Sequence, residues 1–358
     1  MPGAPPGRVP ARAPDTDVLV VGGGPVGLAA AVEARLRGLE VVVLEPRPGP
    51  VDKACGEGLM PGALRLLQSW DVDPPGHVLA GISYRSPAGH VDHRFRVAAG
   101  RGVRRTVLHD ALHGRAVDLG AVVVPARASA VHLTAQGVEV DGRTARHLLV
   151  CDGLHSPTRR RLGLEPAAPT RRGPPADDRR RYGLRRHYRV ASWTDLVEVH
   201  WAARAEVYVT PVGPDLVGVA VLGPRGTELD ATVAALPELA AHLGDAAPDG
   251  PVRGAGPLRA RSTHRTAGAA RLVGDASGYV DALTGEGLRV GFAQARAAVA
   301  TLDDPDAYER AWRSATRDYR VLTSALVAWA TSPLRPAVVP LARRAPALFG
   351  AVVERLAR

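Results

Sequence analysis

Lysine is nearly missing from this 358-residue chain: Lys53 stands alone among 46 basic residues. The net charge of +10 is therefore carried by arginine. The arginines are scattered among acids, so they read as a solvated surface and biased coding rather than a nucleic-acid footprint. Cysteine is almost as rare. Cys55 and Cys151 are too few for a zinc site, and without C-x-x-C they exclude a paired-cysteine disulfide reductase. That usage predicts a reduced, cytoplasmic protein. Aromatics make up only 4%. No run of eighteen apolar residues exists, which argues against a membrane span. Residues 1–14 are Pro, Ala, Gly and Arg without an apolar centre, and read as a disordered tail rather than a signal peptide.

What is present concentrates near the start. Residues 18–21 form a continuous β-branched apolar run, the pattern of a strand buried on both faces. Gly22, Gly24 and Gly27 follow as G-x-G-x-x-G, and residues 28–38, rich in Ala, Leu, Glu and Arg, predict a helix. A second apolar strand, 40–44, ends in Glu45, about twenty residues beyond the glycines. Glycines permit a tight turn and let the backbone approach a pyrophosphate, whose charge sits at the positive end of the helix. Glu45 offers a carboxylate to a ribose 2′-hydroxyl. A second such fingerprint is absent, because Arg259 stands where Gly254-Ala-Gly256 would need its third glycine.

Further along, 46–61 reads as a structured loop, 62–70 as a short helix, and 81–97 as a hairpin around Pro87-Ala-Gly89. Residues 105–119 predict a helix, 121–124 a buried strand, 128–140 a hairpin and 145–150 a strand ending at Cys151-Asp-Gly. Residues 163–181 are a Pro- and Arg-rich loop. Four alternating runs, 182–190, 196–201, 206–211 and 216–222, predict an antiparallel sheet. Residues 229–243 and 288–302 read as helices, and 308–358 as a helical stretch broken by Pro333, Pro336, Pro340 and Pro346. The organisation expected is a dinucleotide domain (15–70, 96–165 and 256–310) interrupted by a substrate domain (71–95 and 166–255), with a C-terminal helical segment (311–358).

Three stretches select flavin as the dinucleotide. Arg105, in R-x-x-L-x-x-x-L, opens a helix; Asp152-Gly153 follows a strand; Gly274-Asp275 follows another and offers a carboxylate to a polyhydroxylated chain. Gly285-Glu-Gly-Leu then turns into a helix whose N-terminal amides face negative charge. With these residues the sequence resembles the FAD-dependent oxidoreductases of the para-hydroxybenzoate hydroxylase fold, in particular the geranylgeranyl-reductase-like branch. Val21-Gly-Gly-Gly-Pro-Val-Gly, Cys151-Asp-Gly-Leu-His-Ser and the run from Gly274 to Leu288 match its motifs, and Lys53-Ala-Cys-Gly-Glu-Gly looks like its loop beside the isoalloxazine. The resemblance implies an α/β fold: a Rossmann-type FAD-binding domain interrupted by an antiparallel β-sheet domain. It assigns Glu45 to the adenosine ribose, Arg105 and Asp275 to the flavin chain, Asp152 to cofactor geometry, and Lys53, Cys55, Gly56, Gly285, Gly287 and Leu288 to the flavin surroundings. Ala282 departs from it, standing where many relatives carry proline.

Cys55 and Glu57 are the catalytic candidates, as a redox or shielding thiol and as an acid or base; a small buried residue and a loop-capping carboxylate are the competing readings. Trp201 and Tyr208 are the candidates for a flat, apolar substrate pocket, against plain core packing. His187 and His200 read as surface or packing residues. Arg179, Arg180, Arg181, Arg185 and Arg186 read as a solvated basic edge, with attraction of anionic NADPH as the alternative. Residues 321–356, with Trp329 and Phe349, read as a cap packed on the core, against a tunnel cover or a peripheral membrane contact. The function expected is an NAD(P)H-using FAD monooxygenase that hydroxylates a lipophilic or aromatic molecule, such as a phenolic polyketide of secondary metabolism, through a flavin C4a-hydroperoxide. A reductase of prenyl double bonds is the alternative, and a non-catalytic flavin-binding protein the reading from another class; on any of them a monomer or homodimer is expected.

Overall fold

The computed structural model describes residues 14–167 and 180–358. The expected tail over 1–13 and most of the 163–181 loop, Arg179 included, lie outside them.

The opening strand Thr16–Val21 is central to the first sheet. Parallel neighbours are Val41–Leu44 on one side and Arg143–Val150 on the other; Val122–Val124 and Ala270–Leu272 extend the parallel set outward. Val18, Leu19 and Val20 are fully buried because helices cover one face and a second apolar cluster the other, which is why their sequence does not alternate. Helix Pro25–Leu36 packs against Gly287–Ala300 and Arg105–Asp118. It begins three residues earlier than periodicity suggested, with Pro25 in its first turn, where a missing N–H costs nothing. The strand expected to be buried at 121–124 is the sheet edge, and Val122 is 56% exposed.

The second sheet runs in the order Ala247–Ala255, Arg181–Arg189, Leu216–Pro224, Glu206–Gly213, Leu196–Trp201, Gly81–Ser86, Gly89–Arg94. It is antiparallel except where Leu196–Trp201 pairs with Gly81–Ser86. Its outer strand Ala247–Ala255 carries two prolines and two glycines and was not expected; only an edge position tolerates that composition. The single helix expected over 229–243 is two, Leu229–Ala234 and Pro237–Leu243, broken before Pro237.

The C-terminal segment comprises a 26-residue helix, Pro305–Ala330, then Val338–Arg344 and Pro346–Ala357. Ala330, Val338, Val339 and Ala357 pack into one apolar cluster with Val197, Val199 and Trp201 of the second sheet. Arg335 fastens the segment. Its guanidinium pairs with Glu206 and donates to the carbonyls of Ala202 (2.8 Å), Ala205 (2.5 Å) and Ala330 (2.8 Å).

Candidate active site

The strand ends of the first sheet, the loop 51–58 and one face of the second sheet enclose a cavity of about 390 Å³. Gly22 and Gly24 form its floor. A Cβ on Gly27 would lie 1.9 Å from the Gly22 carbonyl oxygen, so this third glycine closes the turn without lining the cavity. Gly22 itself sits at φ +102°, which an L side chain rarely adopts. Glu45 also lies off the cavity. Its carboxylate accepts the Gly23 amide (2.9 Å) and both arms of Arg47. Burial pushes its pKa up, but the Arg47 and Gly23 hydrogen bonds outweigh that and hold it below the ordinary value.

Two cations and an acid converge on the wall. Arg105 opens helix Arg105–Asp118, Lys53 comes from the loop, and Asp275 follows strand Ala270–Leu272; all three line the cavity. Burial raises the Asp275 pKa, with Lys53 and Arg105 opposing, and burial lowers that of Lys53, with Asp275 opposing. Gly274, Gly285, Gly287, Leu288, Cys55 and Gly56 also line it, so the motifs separated by more than two hundred residues meet in one place. Asp152 lines it too. One of its carboxylate oxygens accepts the Thr158 amide at 3.0 Å, and the other is buried without a partner, as is Arg105 Nε. Buried polar atoms left unpaired are costly, and a polar ligand in the cavity relieves the cost. The glycine turn at a helix start, the unpaired polar atoms and the carboxylate facing two cations fit an FAD.

Glu57 has φ +59° between two glycines, a strained conformation for a residue with a side chain. It persists because it is over-determined. The Glu57 carboxylate accepts the Arg105 amide at 2.8 Å and His187 Nε2–H at 2.5 Å, and its carbonyl accepts the Val103 amide. Arg185 donates to His187 Nδ1 at 3.0 Å, which fixes the imidazole with its hydrogen on Nε2. Arg185 also pairs with Asp52. His187 is thus a buried strut between the second sheet and the loop, not a surface or generic packing residue. His200 is likewise buried, against Glu198 at 2.9 Å.

The expected basic edge is largely interior. Arg181 pairs with Glu206 and with Asp281 (3.0 Å), and burial raises the Asp281 pKa to about 6 against the pull of Arg181. Arg186 reaches an exposed acid, Asp230. Tyr208 lines the cavity and donates its hydroxyl to the Leu283 carbonyl at 2.7 Å. Trp201 does not line it. Its ring packs 5.5 Å from Tyr84 and beneath the Arg335 guanidinium, so it belongs to the seat of the C-terminal segment.

Sequence reasoning missed two supports. His109 reaches the Gly23 carbonyl at 2.9 Å from the face of the helix that carries Arg105, four residues earlier; that i, i+4 spacing was the available signal. Gln294 accepts the Gly274 amide (2.7 Å) and the Ser277 hydroxyl (2.9 Å). No sequence signal marked it.

Comparison with known proteins agrees with this geometry. Residues 15–74 match the FAD binding domain family. The menaquinone reductase of Mycobacterium tuberculosis is 31% identical over 336 residues, covering 84% of this chain and 80% of that protein. The rifampicin monooxygenase of Streptomyces venezuelae is 29% identical over 169 residues, 43% of this chain and 36% of its own. Among solved structures, a geranylgeranyl bacteriochlorophyll reductase-like protein from Thermoplasma acidophilum superposes with a TM-score of 0.77 at 20% identity, covering 91% of this chain and 90% of that one. A flavin-dependent brominase gives 0.78 at 16%, covering 96% and 93%. The chain belongs to the FAD-dependent oxidoreductases of the para-hydroxybenzoate hydroxylase type, the family it shares with the mycobacterial menaquinone reductase.

Proposed function

We propose that the protein is a monooxygenase that hydroxylates a lipophilic phenolic ring, with NAD(P)H as electron donor. The observation that carries this reading is the chemistry of the cavity where the second sheet lines it. Gly183, Leu184, Val197, Ala220 and Leu222 contribute no charge there, and among the described residues of that sheet the side-chain hydroxyls on the cavity are those of Tyr208 and Thr210. The Tyr208 hydroxyl is committed to Leu283, and burial raises its pKa well above the ordinary value, so it is no ready proton donor. Such a lining excludes water and selects an uncharged, flat substrate.

In this reading the first sheet carries the cofactor and the second the substrate, as the expected domain division has it. The glycine turn and helix Pro25–Leu36 hold the pyrophosphate, and Arg105 and Asp275 the flavin chain. Glu45, its oxygens filled by the Gly23 amide and Arg47, braces the turn beside the adenosine ribose rather than lining the cavity. Asp152 sets cofactor geometry, and the loop with Lys53, Cys55 and Gly56 lies beside the ring. Bound FAD, once reduced, supplies the redox chemistry, delivering an oxygen atom from O2 for hydroxylation or a hydride for reduction. Glu57 holds the loop in place rather than exchanging protons, since both its oxygens are occupied by donors.

A second reading, reduction of an isoprenoid double bond, is favoured by the near full-length match to menaquinone reductase. Cys55, on the cavity wall, is then the thiol that returns a proton. The two separate in one experiment: purified holoprotein with long-chain alkylphenols and prenylated quinones, in air and under strict anaerobiosis. Oxygen uptake matched to a hydroxylated product supports the proposal. Anaerobic turnover to a saturated chain replaces it with the second reading. Absence of any substrate-dependent NAD(P)H oxidation leaves a flavin-binding protein without turnover.

A further inference from the structure

The helices after residue 330 present different faces to the core and to solvent. Inward, Val338, Val339, Phe349, Val353 and Leu356 are buried. Outward, Leu334, Leu341 and Leu348 are 68%, 45% and 66% exposed. Single exposed leucines need no explanation. These three fall within fifteen residues and bracket a corner: Leu341 lies in the last turn of Val338–Arg344, Leu348 in the first turn of Pro346–Ala357, and the two arms meet at 106°. Together the arms have the length and apolar composition of a membrane span, but the bend and their buried inner faces make crossing a bilayer impossible without unfolding.

The charge around the corner is mainly positive, although Arg335 is spent on buried Glu206 and Arg355 pairs with Asp318 (2.7 Å). From residue 319 to 358 there are six arginines and one acid, Glu354. Glu354 is consumed by His93 (2.8 Å) and the Arg96 amide (2.9 Å); Arg344 stands exposed between the two leucines, and Arg343, also exposed, donates one arm to the Ala88 carbonyl. Exposed leucines flanked by arginine at a rigid corner match the chemistry of an interfacial anchor, with apolar tips for the acyl boundary and guanidinium groups for lipid phosphates.

We propose that this corner docks the protein onto an anionic lipid bilayer, with Leu341 and Leu348 inserted below the headgroups and Arg343 and Arg344 at the phosphates. The inner faces of the same helices pack on the cluster containing Val197, Leu222 and Leu258, which also line the cavity. On the proposed function, docking would hold a bilayer-dissolved substrate on the side of the molecule whose helices back that apolar wall; the docking itself does not rest on that function.

The test is sedimentation of the full-length holoprotein with vesicles of phosphatidylcholine alone or mixed with phosphatidylglycerol. The expected result is binding to the anionic vesicles that weakens with salt, and a loss of at least about tenfold when Leu341→Ser and Leu348→Ser are combined. Both positions are solvent-exposed, and an unchanged flavin spectrum and melting temperature confirm the fold. Three results overturn the proposal: no sedimentation of the wild type with anionic vesicles at low salt, equal binding by the double variant, or a dimer that the double variant dissolves, which assigns the corner to a second copy. Binding is read without turnover, so its failure leaves the oxidoreductase reading standing, and the converse holds as well.

Discussion

Glu286 is the residue whose substitution tests the electrostatics of the flavin loop most directly. Its side chain is fully buried at the start of helix Gly287–Ala300, paired with Arg289, and one carboxylate oxygen has no partner. Burial lifts its pKa from 4.5 to about 7, with Arg289 opposing. A carboxyl whose folded pKa exceeds its unfolded one supports folding while protonated; that support is complete at low pH and lost as pH rises through about 7. A shift of about 2.5 units corresponds to roughly 3 kcal/mol of destabilisation once the group is ionised. Glu286→Gln removes the titration and leaves Arg289, which is partly exposed, free to turn toward water. In flavin-free protein the variant's advantage over wild type should therefore grow by about 2–3 kcal/mol between about pH 5 and pH 8.5. Spread over an unfolding entropy of about 2.1 cal/mol/K per residue, that is about 3–4 °C in Tm. Paired thermal melts at the two pH values measure it. A variant that melts below wild type at the higher pH would refute the reasoning and show the Glu286–Arg289 pair to be net stabilising; an identical difference at both would place the cost elsewhere.

Gly27→Ala drives a methyl into the Gly22 carbonyl, so the protein should purify without yellow colour, and absorbance near the flavin band reads this directly. Asp275→Ala removes the carboxylate proposed for the flavin chain and should weaken FAD binding about 10- to 100-fold, as a charged hydrogen bond is worth about 1.5–3 kcal/mol; fluorescence titration of the apoprotein measures it. Glu206→Ala removes the carboxylate that Arg181 and Arg335 share, leaving Asp281 against two buried guanidiniums, and should cost about 3–5 kcal/mol by denaturant titration, whereas an effect below about 1 kcal/mol would mean that Asp281, the backbone carbonyls or water compensate them. Iodoacetamide should label Cys55 alone, and less so with FAD added, because burial pushes the Cys151 thiol far above its ordinary pKa; peptide mass spectrometry distinguishes the two cysteines.

The cofactor crevice was legible because its chemistry is local. A glycine turn between strand and helix, an acid after a strand, and a glycine pair before a helix each leave a short signature, and their shared destination follows from the parallel sheet. The second sheet was legible only as alternation. Alternation tells which residues share a face, not what covers it, so Arg181 and Arg185 looked like a wetted edge, and His187 like a surface or packing residue, until Glu206, Asp281, Asp52 and Glu57 appeared opposite them. His187 and Glu57 are 130 positions apart, a distance no periodicity spans. The same limit hid the difference between Tyr208, which faces the cavity, and Trp201, which seats the C-terminal helices. Ala247–Ala255 failed for the opposite reason: its prolines and glycines speak against a strand, and only its edge position makes them harmless.

The order in which the strands are used has a consequence for biosynthesis. Hairpin 81–94 is committed to the second sheet, while the first waits for Ala270–Leu272 to come alongside Arg143–Val150. A nascent chain emerging from the ribosome thus cannot complete its opening β-layer until some 120 further residues have been translated. Ligand capture must be a late, post-assembly event, and a half-made polypeptide exposes two unfinished sheet margins to chaperones or to aggregation.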